Sequence, residues 1–165
     1  MLRAFAILKD KATSTPLRLL IVGGGEEKDS LVALASSLGI ASDTTFVGSV
    51  KEDEVPKYLN TMDIFVALSR SESFGVAVLE ASACGLPVVV SDVGGLTEVV
   101  SHGVTGYVVK DGDPVLAADA LCQLVTHGDE AKAFGNAGRS FVMDRYSWDT
   151  TTLAMESLYR RMCQS

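Results

Sequence analysis

Glu72-Ser73-Phe74-Gly75-Val76-Ala77-Val78-Leu79-Glu80 runs directly into Ala81-Ser82-Ala83-Cys84-Gly85-Leu86-Pro87. Its reading decides the fold. From residue 74 to 84 almost every side chain is apolar or small, which predicts a helix buried on all sides. Glu80 interrupts that helix. A buried glutamate is costly unless it is partnered, so Glu80 either hydrogen-bonds a protein group or reaches a ligand in a cleft. Glu72 lies just before the helix, in the polar loop that begins Ser69-Arg70-Ser71. The first backbone N–H groups there, those of Phe74, Gly75 and Val76, have no acceptor within the helix. The positive end of the helix dipole lies behind them, so the start of the helix favours an anion such as a phosphate. Carboxylates on either side suit the hydroxyl groups of a sugar.

Outward from this stretch the chain alternates. Apolar runs of strand length at 64–68 and 87–90 flank the helix. Upstream, 17–22 and 44–47 read as strands, with helices over 2–11, 26–38 and 52–62. Pro56 falls in the first turn of the last of these, where proline is tolerated. Downstream, 96–101 reads as a short helix and 106–109 as a strand. Asp113 then caps a helix that has Pro114 at its first position. Helices over 115–126, 129–144 and 148–162 close the chain. They form an appendix to the sheet, with Tyr146 and Trp148 expected to pack the last helix to the body. Strands alternating with helices predict a Rossmann-like, doubly wound α/β domain of about five parallel strands. Such folds bind ligands beyond the carboxyl ends of their strands, and the Glu72 loop follows a strand directly.

The chain has 165 residues, is 47% hydrophobic and 21% charged, and carries a net charge of −7. One soluble domain with a real core is the simplest reading. The acidic balance argues against nucleic acid or an anionic membrane as general partners. No apolar run approaches the ~20 residues that span a bilayer. The three cysteines, Cys84, Cys122 and Cys163, are widely spaced without a C-x-x-C pair, which fits a reducing, cytoplasmic setting and disfavours zinc. His102 and His127 lack any ligand-spacing partner.

Gly23-Gly24-Gly25-Glu26-Glu27 is a strand-to-helix turn that is neither G-x-G-x-x-G nor a Walker loop. It reads equally as a turn requiring positive φ and as a close approach to a ligand phosphate. Asp92-Val93-Gly94-Gly95 reads equally as a tight turn and as a ligand-facing loop beside the Glu72 loop.

These residues, with the Gly85-Leu86-Pro87-Val88-Val89 that follows, resemble the group 1 (family 4) glycosyltransferases. The resemblance runs from about Leu2 to the C-terminus. It includes Leu20-Ile21-Val22-Gly23-Gly24-Gly25, Phe46-Val47-Gly48-Ser49-Val50 and Gly103-Val104-Thr105-Gly106. It implies a retaining, nucleotide-sugar-dependent transferase of the GT-B fold, with residues 1–165 as the C-terminal, donor-binding domain. Glu72 would hold the transferred sugar as the catalytic carboxylate. The amides of Phe74, Gly75 and Val76 would face the sugar or diphosphate, and Glu80 would take the ribose hydroxyls. Val50 and Lys51 would meet the base, and Gly23 and Gly25 would line the cleft floor. No metal or other cofactor is implied; the nucleotide sugar is itself the substrate.

Two departures from the family pattern go with this. The N-terminal acceptor domain is absent, so weak donor binding without turnover is expected of these residues alone. The family's first strand, with its Gly-Arg and following lysine, is absent too. That leaves either a gap closed by neighbouring strands or an exposed sheet edge that invites pairing with another chain. The full enzyme would serve polysaccharide or glycolipid assembly, peripheral to a membrane. The competing readings are a non-catalytic α/β interaction domain and a GT-B nucleotide-sugar epimerase. The partner of the Glu80 carboxylate discriminates the first of these from a donor site.

Overall fold

The computed structural model describes residues 1–163. In chain order its elements are α1 (Leu2–Lys11), β1 (Leu19–Val22), α2 (Lys28–Ser37), β2 (Thr44–Gly48), α3 (Val55–Leu59), β3 (Phe65–Ala67) and α4 (Val76–Ala83). There follow β4 (Val88–Ser91), α5 (Leu96–Val99), β5 (Gly106–Val109), α6 (Pro114–Thr126), α7 (Gly128–Tyr146) and α8 (Trp148–Met162). The alternation is that of an α/β fold with parallel strands, as the apolar runs predict.

Local chemistry sets most of the boundaries. Asp113 Oδ1 accepts from the amides of Val115 and Leu116, at 3.0 and 3.1 Å, and so starts α6. Gly75, at φ 93°, is left-handed, so α4 cannot begin before Val76. The helix expected over 52–62 is shorter than the sequence predicts. A 3₁₀ turn, Glu52–Glu54, leads into the five-residue α3. The Asn60 side chain then donates through Nδ2 to the Pro56 carbonyl at 2.7 Å, beside the Asn60 backbone N–H at 3.0 Å, and closes the helix early.

The five strands form two parallel ladders. β1 pairs with β2, Leu19 opposite Thr44 and Ile21 opposite Phe46. β4 lies between β3 and β5, with Val89 opposite both Val66 and Tyr107. β1 and β3 do not pair with each other, so neighbouring strands do not close the expected gap. The burial follows this division. β4 is buried along its whole length, whereas β1 and β3 are only half-buried.

β4 also divides the core. Val89 joins Leu2, Phe5, Leu8, Leu121 and Leu124 on the α1/α6 side. Val88 and Val90 join Val78, Leu96, Val99 and Val142 beneath α4, α5 and α7. A strand buried on both faces is the expected consequence of helices on both sides of a parallel sheet.

The last helix departs from expectation. Tyr146 packs against the body, but Trp148 is 86% exposed and α8 contains no buried residue. Extended Ser147, at φ −68° and ψ 151°, turns the chain between the two residues and directs α8 away. Among the described residues no helix is long and apolar enough to cross a membrane.

An ion pair joins α1 to the approach to β2. Lys9 donates to Asp43, and Arg18 Nη1 lies 2.6 Å from the other carboxylate oxygen. The hydrogen bond from Lys9 holds the Asp43 carboxyl below its ordinary value. A depressed folded pKa stabilises the fold above the unfolded value, near 4, and that contribution is lost as pH falls through the folded value. Asp43→Asn is therefore expected to lower the melting temperature at neutral pH and to flatten its fall below about pH 4. Melts of both proteins across that range check this.

Candidate functional site

The carboxyl ends of the strands meet at one cleft of about 320 Å³. Ile21 comes from β1, Leu68 follows β3, Ser91 ends β4 and Lys110 follows β5. Leu31 and Leu34 of α2 supply further apolar wall, and Arg3 and Arg70 supply charge. Among the described residues, none of the Arg3, Arg70 and Lys110 side chains is ion-paired. Of the acids that line the cleft, Asp113 is engaged as the cap of α6. A smaller hollow of about 190 Å³ lies beside the Lys9–Asp43 pair, and none of the residues predicted for a site lines either the cleft or this hollow.

The Glu72 loop joins β3 to α4 at this edge. Its shape is fixed mostly by backbone contacts. Ser91 Oγ donates to the Ser69 carbonyl at 2.6 Å, tying the ends of β3 and β4 together. The Gly95 amide donates to the Glu72 carbonyl at 3.1 Å. A Cβ on Gly95 would lie 2.6 Å from Ser73 O and 2.7 Å from Phe74 Cα. One on Gly94 would lie 1.9 Å from Glu72 O. The two glycines are therefore required by a close approach, but to the Glu72 loop itself. Neither reading offered by the sequence, a tight turn or a ligand-facing loop, anticipated that. A further tie holds the neighbouring loop, where the Asp111 amide donates to Asp92 Oδ1 at 2.6 Å.

The predicted donor residues fall into two groups. Glu72, Phe74, Gly75, Val76 and Glu80 stand together on the loop and α4. Val76 and Phe74 are exposed, at 58% and 43%, so the start of α4 faces solvent where the sequence predicts burial. Of the three amides expected to be open, that of Phe74 donates to Glu72 Oε1 at 3.4 Å. The Gly75 carbonyl already accepts from the amides of Val78 and Leu79. The Gly75 and Val76 amides precede any helical acceptor and have no partner among the described residues; Gly75 is buried, and exposed Val76 is the one that faces solvent.

Glu80 is half-buried, and its carboxylate has no hydrogen-bond or ion-pair partner among the described residues. No described buried side-chain oxygen or nitrogen lacks a partner, so the carboxylate is open to solvent. Nearby, burial raises the Cys84 thiol above its ordinary pKa, and the Glu80 charge adds to the effect. A thiol raised in this way is a poor nucleophile.

Gly23, Gly25, Val50 and Lys51 form the second group, at the end of the β1–β2 ladder. The Gly23 amide donates to the Gly48 carbonyl at 2.9 Å. Gly23 and Gly25 adopt φ 136° and 148°, so the conformational need that the sequence left open is present. Val50 is half-buried and Lys51 exposed. Arg3, Arg70 and Lys110 were not among the residues the sequence marked. Each is an isolated cation in the chain, and only the tertiary fold brings them to one cleft. No three metal-ligating side chains cluster among the described residues. The geometry suits an anion at the start of a helix, with carboxylates beside it as hydrogen-bond acceptors for hydroxyl groups.

Comparison with known proteins identifies the family and the fold. The family model described as Glycosyl transferases group 1 matches residues 1–141. A GDP-mannose-dependent alpha-(1-6)-phosphatidylinositol monomannoside mannosyltransferase of Mycobacterium tuberculosis is 38% identical over 149 residues, which cover 86% of this chain and 39% of the relative. An N-acetyl-alpha-D-glucosaminyl L-malate synthase of Bacillus anthracis is 34% identical over 159 residues, 96% of this chain and 40% of the relative. The solved sucrose-phosphate synthase of Thermosynechococcus elongatus superposes with a TM-score of 0.86 at 28% identity, over 99% of this chain and 42% of that one. The chain thus spans about two-fifths of the length of the curated relatives it matches.

Proposed function

Because this chain belongs to the group 1 glycosyl transferases, we propose that it is the donor-binding, C-terminal domain of a GT-B enzyme that transfers a sugar from a nucleoside diphosphate to an acceptor with retention. The observation that carries this reading is the unspent carboxylate of Glu80, on a short helix that begins at Val76, whose amide has no acceptor among the described residues. An internal basic partner would have favoured a purely structural role, and the Glu80 carboxylate has none among the described residues.

In this reading Glu80 accepts from the ribose hydroxyls and Glu72 from the hydroxyls of the transferred sugar. The amides of Gly75 and Val76 face the diphosphate, with that of Phe74 joining them when Glu72 releases it. Negative charge develops on the diphosphate as the glycosidic bond breaks, and fixed dipoles and cations stabilise that charge most effectively. Arg3, Arg70 and Lys110, unpaired in the cleft among the described residues, supply positive potential for that charge. Val50 and Lys51 contact the base, with Gly23 and Gly25 beneath.

The acceptor belongs to another part of the enzyme, an N-terminal domain. The unpaired edges of β1 and β3 are where a further strand, from the same enzyme or a second copy, would pair. Glycolipid or polysaccharide assembly is the setting, consistent with the phosphatidylinositol mannoside chemistry named for the mycobacterial relative. Free Cys84, Cys122 and Cys163 suit a reducing, cytoplasmic compartment.

The test is a titration of the chain with UDP and GDP, followed by NMR and calorimetry. Resonance shifts are expected at residues 74–80. Glu80→Gln is expected to weaken UDP about tenfold or more, the worth of a hydrogen bond to a charged group. It should also remove the preference for UDP over 2′-deoxy-UDP. No shift in residues 74–80 at millimolar nucleotide overturns the reading.

A further inference from the structure

We propose that Tyr146 is a positioning residue for the donor site: its ring holds Phe74, and through Phe74 the backbone from Glu72 to Val76, in the geometry that receives a diphosphate. The inference deepens the donor-site reading and rests on it for its functional half.

Phe74 is an exposed ring on a loop that has few side-chain contacts to fix it. It is nevertheless held, edge-on to Tyr146, with centroids 5.9 Å apart and planes at 73°. Tyr146 is a rigid point of support. α7 lies antiparallel along α4, because the contacts between them run in opposite directions. A Cβ on Gly135 would fall 2.0 Å from Gly85 O, one on Gly138 would touch Ser82 Cβ at 3.5 Å, and Tyr146 meets Phe74. α7 therefore acts as a strut. Gly135, near its middle, is seated where α4 finishes, and its last residue reaches the loop where α4 starts.

The tyrosine is itself fixed from two sides. Its ring lies 6.1 Å from that of Phe141, whose face carries the Arg145 guanidinium at 4.3 Å. Ser147 then ends α7, and its Oγ accepts from the Thr150 amide at 3.2 Å, while Thr150 Oγ1 donates back to the Asp144 carbonyl at 3.3 Å. The Phe74 amide donates to Glu72 Oε1, so the orientation of Phe74 also governs the carboxylate that faces the sugar.

Removing the Tyr146 ring leaves the loop its ties through Ser69 and Gly95 and the packing of Gly75 against Leu96 and Val99. Substitution by Phe keeps the edge-on contact and should keep the function, because the ring and not the hydroxyl makes it.

Amide hydrogen exchange and UDP titration of wild type, Tyr146→Ala and Tyr146→Phe test this. Tyr146→Ala is expected to speed exchange at Phe74, Val78 and Leu79 and to weaken UDP about two- to tenfold, the worth of one edge-on aromatic pair. Tyr146→Phe should match wild type in both. If Tyr146→Ala fails to fold, Tyr146→Leu, which keeps apolar volume without an aromatic edge, takes its place. Unchanged exchange and affinity in the alanine or leucine variant overturns the inference. A wild-type chain that does not bind UDP overturns the donor reading instead, and the exchange data still decide whether Tyr146 holds the loop.

Discussion

Gly94→Ala is expected to abolish detectable UDP binding and to destabilise the chain by about 3 kcal/mol, a sum of overpacking and left-handed backbone strain. The new methyl group would stand 1.9 Å from the Glu72 carbonyl oxygen, well inside any contact distance. That atom is backbone, so no side-chain rotation relieves the clash. Gly94 also sits at φ 47°, a conformation that alanine enters at a cost. The Glu72 loop must therefore move, and it takes with it the Gly95 hydrogen bond, the Glu72 carboxylate and the first amides of α4. Gly103→Ala is the control. Gly103 has φ 73° but open space around it, so only the strain of about 1 kcal/mol should appear, with binding intact. Urea denaturation and UDP titration of both variants check this. Wild-type affinity in Gly94→Ala would show that the loop does not carry the site.

Gly135→Ala is expected to lower stability by about 3 kcal/mol, which for a chain of this size is a fall of roughly 6–12 °C in melting temperature. The sign is informative. Replacing glycine by alanine inside a helix ordinarily stabilises it by up to about 1 kcal/mol. At Gly135 the added Cβ would meet the Gly85 carbonyl oxygen at 2.0 Å and its carbon at 3.0 Å. Gly85 cannot retreat easily. It holds φ 79°, its amide donates to Ser82 O at 2.9 Å, and the next amide, that of Leu86, donates to Ala81 O at 3.1 Å. Gly128→Ala, at the start of the same helix with nothing within 4 Å, should be neutral or stabilising. A melting temperature for Gly135→Ala at or above wild type would mean that α7 slides over α4 without penalty, and the strut argument for Tyr146 would fall with it.

The sequence made the local features legible. The Asp113-Pro114 start of α6 and the 148–162 extent of α8 are found where their residues predict. Caps, proline positions and helical periodicity act between residues a few positions apart, so the chain order itself states them. Glu72 and Glu80 stand eight residues apart, before and within one short helix, so their nearness is likewise a local feature. The helix that periodicity predicts over 52–62 is shorter in the fold, because the Asn60 side-chain bond to the Pro56 carbonyl competes with the periodicity and closes it early.

What the sequence determined by itself was an alternating α/β chain and a carboxylate-flanked helix start. It could not determine which backbones touch. The seating of Gly94 and Gly95 on the Glu72 loop, the gathering of Arg3, Arg70 and Lys110 at one cleft, the open carboxylate of Glu80, the exposure of Trp148 and the division of the strands into two ladders were decided by the tertiary structure alone. Each depends on distances between residues far apart in the chain. A glycine that permits a turn and a glycine that makes room for a distant carbonyl look identical in sequence.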